Sequence, residues 1–236
     1  MDPRKARVVI LTPAAGRMDR GTVRGLVRLG DRLVAADGGA AVALDLGLSP
    51  DLVVGDFDSL DQATLERVEA ICPVRRFPAR KDQTDTHLAI EAALQLFPDE
   101  AAREIVICGA LGDRFDHSLG LVLLLAGLAA ASAAEPTAAA PSAPSRVRLV
   151  GAGQEGFVLG PGCRLELVGR PGDTVSLLPL SPEVTGVATT GLLYPLASAT
   201  LRWGETRGVS NEMTGTEASV VAGAGVLLVT RLDGAW

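Results

Sequence analysis

The first half of the chain alternates short apolar runs with segments of helical spacing, and this pattern limits the fold more than any other feature of the sequence. Between Leu88 and Leu96, apolar residues recur at three and four positions, as on the buried face of a helix that Pro98 would end. The predicted strands are Arg7 to Thr12, Arg32 to Ala36, Leu52 to Gly55 and Glu104 to Cys108. Strands that alternate with helices predict a parallel sheet covered by helices on its faces.

The second half of the chain has an all-β pattern. Residues 129–145, AAASAAEPTAAAPSAPS, precede it, and their three prolines favour a surface loop over a helix. Beyond them, alternating apolar runs are separated by turn residues at a spacing of roughly 8 to 12 residues, which is typical of a sandwich or barrel. The predicted strands are 146–150, which would complete the first sheet, and then 163–168, 174–178, 199–203, 218–222 and 226–231. We therefore predict an α/β domain over residues 1–152 and an all-β domain over residues 153–236.

Composition narrows the function classes. The formal charge is −6, from 22 basic and 28 acidic residues, and no lysine and arginine cluster suggests a nucleic-acid partner. The longest apolar run, Leu119 to Ala131, is shorter than the ~20 residues that span a bilayer, and it predicts a buried helix. Cys72, Cys108 and Cys163 are an odd, widely spaced set in a chain too large to need disulfides. We expect a soluble, cytoplasmic protein.

Acidic residues follow the predicted strands at the points where the strands end. Asp37 follows the second strand, Asp56 and Asp58 follow the third, and Asp116 lies beyond the strand that ends at Cys108. In open α/β sheets, ligands bind beyond the carboxyl ends of the parallel strands. We therefore expect these carboxylates to face one ligand.

A further acidic segment, KDQTDT at residues 81–86, precedes the helix that we predict to begin near Leu88. Taken alone, each of Asp82, Thr84 and Asp85 is better explained by capping of this helix. The amides of such a helix start can also face an anion. The convergence of acidic residues elsewhere favours the second interpretation.

Closely packed carboxylates need a counter-charge. Two like charges about 4 Å apart repel by about 4 kcal/mol at an effective dielectric near 20, so the group must hold protons or a cation. His87 and His117 form no cluster and the cysteines lack a CxxC spacing, which favours magnesium over zinc. Magnesium is commonly shared with phosphates, which indicates a nucleotide, and Lys81 and Arg114 would then face phosphate oxygens. The sequence lacks the GxxxxGK[ST] loop of an ordinary P-loop kinase.

Six motifs of the sequence together resemble bacterial thiamine pyrophosphokinases in order and approximate spacing. They are ADGGA (36–40), VVGDFDS (53–59), KDQTDT (81–86), GDRFDH (112–117), TTGLLYPL (189–196) and GVSNE (208–212). The resemblance implies a Rossmann-like parallel-sheet catalytic domain followed by an all-β sandwich that binds thiamine. It also implies a homodimer with active sites between subunits, and transfer of diphosphate from ATP to thiamine with Mg²⁺ as the cofactor.

The resemblance implies three groups of site residues. The magnesium and phosphate site would contain Asp56, Asp58, Asp85 and Asp116, with Arg114 as a further catalytic residue. Nucleotide and phosphate contacts would come from Asp37, Gly38, Lys81, Asp82, Thr84 and Arg114. Thiamine would contact Tyr194, Ser210 and Asn211.

Two other functions fit parts of the pattern. A pyrophosphokinase for another alcohol, such as a pterin, would need the same carboxylates, and a non-catalytic module could bind thiamine or a nucleotide. Two features depart from the family pattern: the insertion at residues 129–145 is longer than expected, and Trp203 stands where we expect a phenylalanine. We predict that Trp203 packs within the second domain, with stacking on the substrate as the alternative.

Overall fold

The computed structural model describes residues 7–96, 104–112, 114–131 and 146–234. These residues divide into two compact units. The first contains the described residues up to Leu121 and residues 146–152, and the second contains residues 122–131 and 153–234. The helical residues 122–131 thus group with the second unit, and the domain division that the sequence suggests at residues 152 and 153 stays a prediction.

The first unit contains a sheet of parallel strands that confirms the predicted α/β pattern. The strands, in chain order, are β1 (Arg7–Leu11), β2 (Arg32–Ala36), β3 (Leu52–Gly55), β4 (Val74–Arg76), β5 (Glu104–Leu111) and β6 (Arg146–Gly151). Across the sheet their order is β6, β5, β1, β2, β3, β4, with every neighbouring pair parallel. The direction of winding therefore reverses between β1 and β5, the kind of position where open α/β sheets bind ligands.

Helices connect these strands. They are α1 (Arg20–Leu26), α2 (Gly39–Asp45), α3 (Gln62–Glu69), α4 (Asp85–Leu96) and α5 (Phe115–Ala131), with a short 3-10 helix at Pro13–Arg17. Asp19 and Asp61 cap α1 and α3, because their carboxylates accept hydrogen bonds from backbone N–H groups in the first turn. The start that we predicted for α4, near Leu88, is wrong by three residues, and Asp85 therefore lies in its first turn. Pro98 lies outside the described residues.

Helix α5 differs in two ways from the prediction. Residues 129–131, which we assigned to a loop, form its last turn, while the rest of the insertion lies outside the described residues. The helix is also only partly buried, because Phe115, Leu119 and Leu123 are 75%, 43% and 56% exposed. Their spacing of four residues aligns them as one exposed apolar stripe. No helix in the described part of the chain is long and apolar enough to cross a membrane.

The second unit is β-rich. Its strands are β7 (Gln154–Leu159), β8 (Arg164–Val168), β9 (Thr174–Pro179), β10 (Glu183–Thr190), β11 (Ala199–Arg202), β12 (Asn211–Glu212), β13 (Glu217–Val221) and β14 (Leu227–Leu232). Their order is β12, β9, β14, β7 in one sheet and β11, β10, β13, β8 in the other, and the pairings are antiparallel. Inward-facing side chains of both sheets, such as Leu167 and Leu177, form one apolar core. The sequence did not predict β7, β10 or β12.

One largely buried arginine, Arg231, contacts three acidic residues of the second unit. The guanidinium of Arg231 lies 2.6 Å from a carboxylate oxygen of Asp173, 2.6 Å from one of Asp233 and 3.2 Å from one of Glu155. Asp173, which is 2% exposed, also accepts hydrogen bonds from the backbone N–H groups of Arg170 and Gly234. We call Arg231 and its three acidic partners the Arg231 cluster.

Candidate functional site

Three of the predicted carboxylates meet at the carboxyl edge of the parallel sheet. Ligand oxygens of Asp37, Asp56 and Asp58 lie within 4.8 Å of one another. The parallel pairing of β2 with β3 brings them together, because it aligns Ala36 with Val54. Asp37 directly follows Ala36, and Asp56 lies two residues after Val54. The backbone N–H of Asp37 donates to the carbonyl oxygen of Val54 at 2.8 Å. We call these three aspartates the strand-end cluster.

Asp37 is fixed more firmly than its neighbours. It is 7% exposed, and its two carboxylate oxygens accept hydrogen bonds from Phe57 N (3.1 Å) and from Ser59 Oγ (2.5 Å). Asp37 and Phe57 have φ values of 46° and 65°, a left-handed conformation that costs energy for residues other than glycine. A Cβ on Gly55 would lie 3.0 Å from the Cα of Asp37, so a glycine there lets the two strand ends approach. Backbone strain of this kind is concentrated at functional sites.

Lys81 links two further carboxylates. Its Nζ lies 2.8 Å from Asp56 Oδ2 and 3.1 Å from Asp85 Oδ1. The hydrogen bond from Lys81 is the main cause that lowers the pKa of Asp56, whereas burial raises the pKa of Asp85 and outweighs the effect of Lys81. Burial also opposes the charge on Lys81, but its bonds to both aspartates prevail and raise the pKa of the ammonium group. Asp85 Oδ1 is buried and, despite its ion pair, receives no hydrogen bond of good geometry.

The charge at this edge is unbalanced. Mainly the negative charge of Asp56 raises the pKa of Asp58, and Asp37 and Asp85 act in the same direction. Among the described residues, Lys81 forms ion pairs with Asp56 and Asp85 but none with Asp37 or Asp58. An oxygen-only donor set with excess negative charge fits Mg²⁺, and the buried Asp85 Oδ1 beside it lacks a hydrogen bond.

Arg114 and Asp116, the other predicted members of the site, form an ion pair at the start of α5. Arg114 Nη2 lies 2.5 Å from Asp116 Oδ2, and this contact lowers the pKa of Asp116 to about 2. Both side chains are exposed, at 67% and 65%. Asp85 and Asp116 do not belong to the group of oxygens within 4.8 Å, which contains Asp37 instead. The structure thus adds Asp37, which we predicted as a nucleotide contact, to the predicted metal pair Asp56 and Asp58.

The remaining predicted nucleotide contacts lie along the same edge. A Cβ on Gly38 would lie 2.8 Å from Ser59 Oγ, so this glycine is packed closely against the loop after β3. The Thr84 hydroxyl accepts a hydrogen bond from His87 N at 3.2 Å, which is the capping role that the sequence left open. Asp82 is exposed.

The predicted thiamine contacts come together in the second unit. Tyr194 is 67% exposed, and its backbone is hydrogen-bonded to the buried side chain of Asn211. Ser210 is also exposed and has a φ of 58°. Trp203 is 61% exposed, so the prediction that it packs within the unit is wrong.

Sequence reasoning missed two residues that support the strand-end cluster. Ser59, which holds Asp37, stands within the VVGDFDS motif, so its position could have suggested this role. The guanidinium of Arg76 lies 4.9 Å from the centre of the Phe57 ring, between Asp56 and Asp58 in sequence. Arg76 lies on the three-residue strand β4, which is too short to give a periodic signal.

Comparison with known proteins adds independent information. Residues 23–134 match the family model "Thiamin pyrophosphokinase, catalytic domain", and residues 163–227 match "Thiamin pyrophosphokinase, vitamin B1 binding domain". The chain is 29% identical over 200 residues to the thiamine pyrophosphokinase of Bacillus subtilis (strain 168), and the match covers 84% of this chain and 86% of that protein.

Solved structures agree with these matches. The crystal structure of the Bacillus subtilis thiamine pyrophosphokinase superposes with a TM-score of 0.78 at 25% identity, covering 97% of this chain and 99% of the other. A thiamin pyrophosphokinase family protein from Enterococcus faecalis gives 0.71 at 25% identity, with the same coverage. The enzyme from Candida albicans, at 16% identity, shares the fold with a TM-score of 0.74 and covers 97% and 90% of the two chains. The chain therefore belongs to the thiamine pyrophosphokinase family.

Proposed function

We propose that this protein transfers diphosphate from ATP to the hydroxyl group of thiamine, giving thiamine diphosphate and AMP. The observation that carries this proposal is the occurrence of the strand-end cluster and a vitamin B1 binding domain in one chain. A pterin pyrophosphokinase is not favoured, because its acceptor would not need that second domain. A non-catalytic module is not favoured, because binding alone would not require the clustered carboxylates.

The strand-end cluster would hold Mg²⁺ through Asp37, Asp56 and Asp58, with Asp85 and Asp116 as the further predicted members. When bound, Mg²⁺ supplies neutralisation of the charge on phosphate oxygens. Lys81 and Arg114 bind and orient the phosphates by charge-assisted hydrogen bonds. Gly38, Asp82 and Thr84 line the nucleotide.

The thiamine hydroxyl attacks the β-phosphorus of ATP, its proton passes to one of the aspartates, and AMP leaves. Little covalent chemistry falls to the protein, so positioning and charge neutralisation supply most of the rate. The all-parallel order β6, β5, β1, β2, β3, β4 and the strand-end cluster at its carboxyl edge support a Rossmann-like α/β unit.

Thiamine is a cation, and the exposed ring of Tyr194 gives it an aromatic face, with the Ser210 hydroxyl as a polar neighbour. A cation over such a ring gains about 0.5 to 2 kcal/mol. Replacing Tyr194 with Ala should therefore raise the KM for thiamine roughly two- to thirty-fold and leave the KM for ATP unchanged. An unchanged KM for thiamine would contradict the contact.

We propose a cytoplasmic homodimer in which the strand-end cluster of one subunit works with Tyr194 of the other. The exposed stripe of Phe115, Leu119 and Leu123 supports an assembly that covers it. Asp56→Asn and Tyr194→Ala subunits, mixed after mild denaturation, should recover activity at limiting thiamine, because half of the sites in each mixed dimer are then intact. Sites within one subunit would give no recovery.

The reaction itself is tested by incubating the protein with ATP, MgCl₂ and thiamine and separating the products by chromatography. We expect thiamine diphosphate and AMP in equal amounts. Formation of ADP and thiamine monophosphate, or phosphorylation of a pterin in preference to thiamine, would contradict the proposal.

A further inference from the structure

The side chain of Asn211 forms hydrogen bonds with the backbone of Tyr194. It is 5% exposed, and its Oδ1 accepts hydrogen bonds from Tyr194 N at 3.0 Å and Glu212 N at 2.9 Å. Its Nδ2 donates to the carbonyl oxygen of Tyr194 at 2.8 Å. Both ends of the side-chain amide are therefore engaged, and both backbone polar groups of Tyr194 are held.

The segment that carries Tyr194 is fixed on either side by other bonds. Leu193 N donates to the Glu212 carbonyl at 2.9 Å, and Leu196 N donates to Thr189 Oγ at 2.8 Å. At Tyr194 itself, Asn211 makes the contacts to the backbone. The backbone position from which the exposed Tyr194 ring extends is consequently held by Asn211.

Ser210 lies immediately before β12, the short strand that contains Asn211. This residue has a φ of 58°, and its backbone N–H donates to Ser176 Oγ at 3.0 Å. The left-handed conformation of Ser210 turns the chain immediately before Asn211, whose side chain binds the Tyr194 backbone. The backbones of Ser210 and Tyr194, the two exposed members of the predicted thiamine site, are thus both held at the start of β12.

We propose that Asn211 is a positioning residue for thiamine, which fixes the Tyr194 backbone and so orients the exposed ring, without itself touching the substrate. This inference deepens the proposed function and rests on the Tyr194 contact. An aromatic ring already held in its binding position loses less conformational freedom when the ligand arrives, which improves affinity. A residue that bound thiamine directly would need a polar atom directed to solvent, whereas the amide of Asn211 is buried against backbone.

The test is a double-mutant cycle between Asn211 and Tyr194. Asn211→Ala alone should raise the KM for thiamine about tenfold while the KM for ATP stays unchanged. Combined with Tyr194→Ala, it should add less than about a twofold further increase, because it acts through the residue already removed. Asn211→Asp keeps the acceptor oxygen and loses the donor to the Tyr194 carbonyl, so it should show the same pattern if Asn211→Ala fails to fold.

A spectroscopic readout separates positioning from general stability. Tyr194 is the only tyrosine, so incorporated 3-fluorotyrosine gives one ¹⁹F resonance for this ring. The resonance should shift or broaden in both Asn211 variants. Ser181→Ala is the matched control, because Ser181 also bridges backbone groups, Val226 N at 3.0 Å and Glu183 O at 2.9 Å, at another turn of the same unit. It should change neither the resonance nor the KM for thiamine.

Each outcome has a distinct meaning. If the KM increases for the two single variants multiply in the double variant, Asn211 contacts thiamine and the positioning role is overturned. If Tyr194→Ala leaves the KM unchanged, the Tyr194 contact fails and the positioning role fails with it. If the wild type forms no thiamine diphosphate, the proposed function fails. An unaltered ¹⁹F resonance in the Asn211 variants would separately show that Asn211 does not position the Tyr194 ring.

Discussion

The Arg231 cluster and the strand-end cluster both gather acidic side chains, but folding acts in opposite directions on the charge of one aspartate in each, Asp173 and Asp58. Burial opposes the charge on Asp173, yet the Gly234 and Arg170 N–H groups and Arg231 prevail and lower its pKa. At the sheet edge, neighbouring carboxylates raise the pKa of Asp58, and burial raises that of Asp85. The protein thus stabilises the ionised form of Asp173 and destabilises that of Asp58, while Lys81 stabilises that of Asp56. A bound cation would relieve the repulsion that raises the pKa of Asp58.

Neutralising one aspartate in each cluster should have the largest effect and should separate the functions of the two clusters. Asp56→Asn should lower kcat/KM by about a thousandfold or more, because it removes both a cation ligand and the partner of Lys81. Asp173→Asn should leave kcat/KM within about threefold at temperatures where it is folded, since Asp173 has no proposed part in the reaction. The rate of AMP formation measures both. Near-normal activity in Asp56→Asn would remove the basis of the site assignment.

The same two variants should reverse their order in stability. Asp173→Asn should lower the free energy of unfolding by about 3 kcal/mol, because it leaves the buried guanidinium of Arg231 with less compensating charge. Asp56→Asn should change it by less than about 1 kcal/mol, since it also relieves repulsion within the strand-end cluster. Urea denaturation followed by circular dichroism measures the difference. Equal destabilisation would mean that both clusters are structural.

Acid should remove the stabilising effect of Asp173 in the Arg231 cluster. Because folding lowers the pKa of Asp173, its stabilising effect is complete above its unfolded pKa of about 3.9 and is lost as the pH falls through the folded value. Wild type and Asp173→Asn should therefore differ by a constant amount between pH 5 and pH 7 and converge below about pH 4. Parallel urea denaturation series check this, and a difference that persists undiminished in acid would contradict it.

The smallest expected effect concerns Asp58. The charge of Asp56 raises the pKa of Asp58. The Asp58→Asn variant, measured in EDTA, should therefore have the wild-type melting temperature or a slightly higher one. Differential scanning fluorimetry of wild type and Asp58→Asn measures this. A lower melting temperature without metal would mean that Asp58 already makes a favourable contact.

Much of the strand-end cluster could be predicted, because it depends on one general rule of parallel sheets. Apolar runs located β1, β2, β3 and β5, and the rule that ligands bind at the carboxyl edge then placed Asp37 near Asp56 and Asp58. The pairing of Lys81 with Asp56 could not be predicted, since it depends on where the chain lies after β4. The helix start at Asp85 was missed because polar first-turn residues carry no hydrophobic period.

The second unit was harder to predict. Strand β12 has two residues, and the pairing of β10 with β11 shifts register between Val184 and Val187. Neither gives a clear alternation of apolar and polar residues. The exposure of Phe115, Leu119 and Leu123 was also invisible to a reading of α5 as a uniformly apolar helix. The motif containing Asn211 was recognised, but its hydrogen bonds to Tyr194 depend on a contact between residues 17 positions apart.

We propose that the strand-end cluster binds a divalent cation through its excess carboxylate charge. Titration with Mn²⁺, which accepts the same oxygen ligands as Mg²⁺ and gives an electron paramagnetic resonance signal when free, tests it directly. Wild type and Asp173→Asn should remove Mn²⁺ from solution with the same affinity and release it to excess Mg²⁺, whereas Asp56→Asn should bind at least about tenfold more weakly. Equal binding by wild type and Asp56→Asn, or no binding by wild type with or without ATP, would contradict the account.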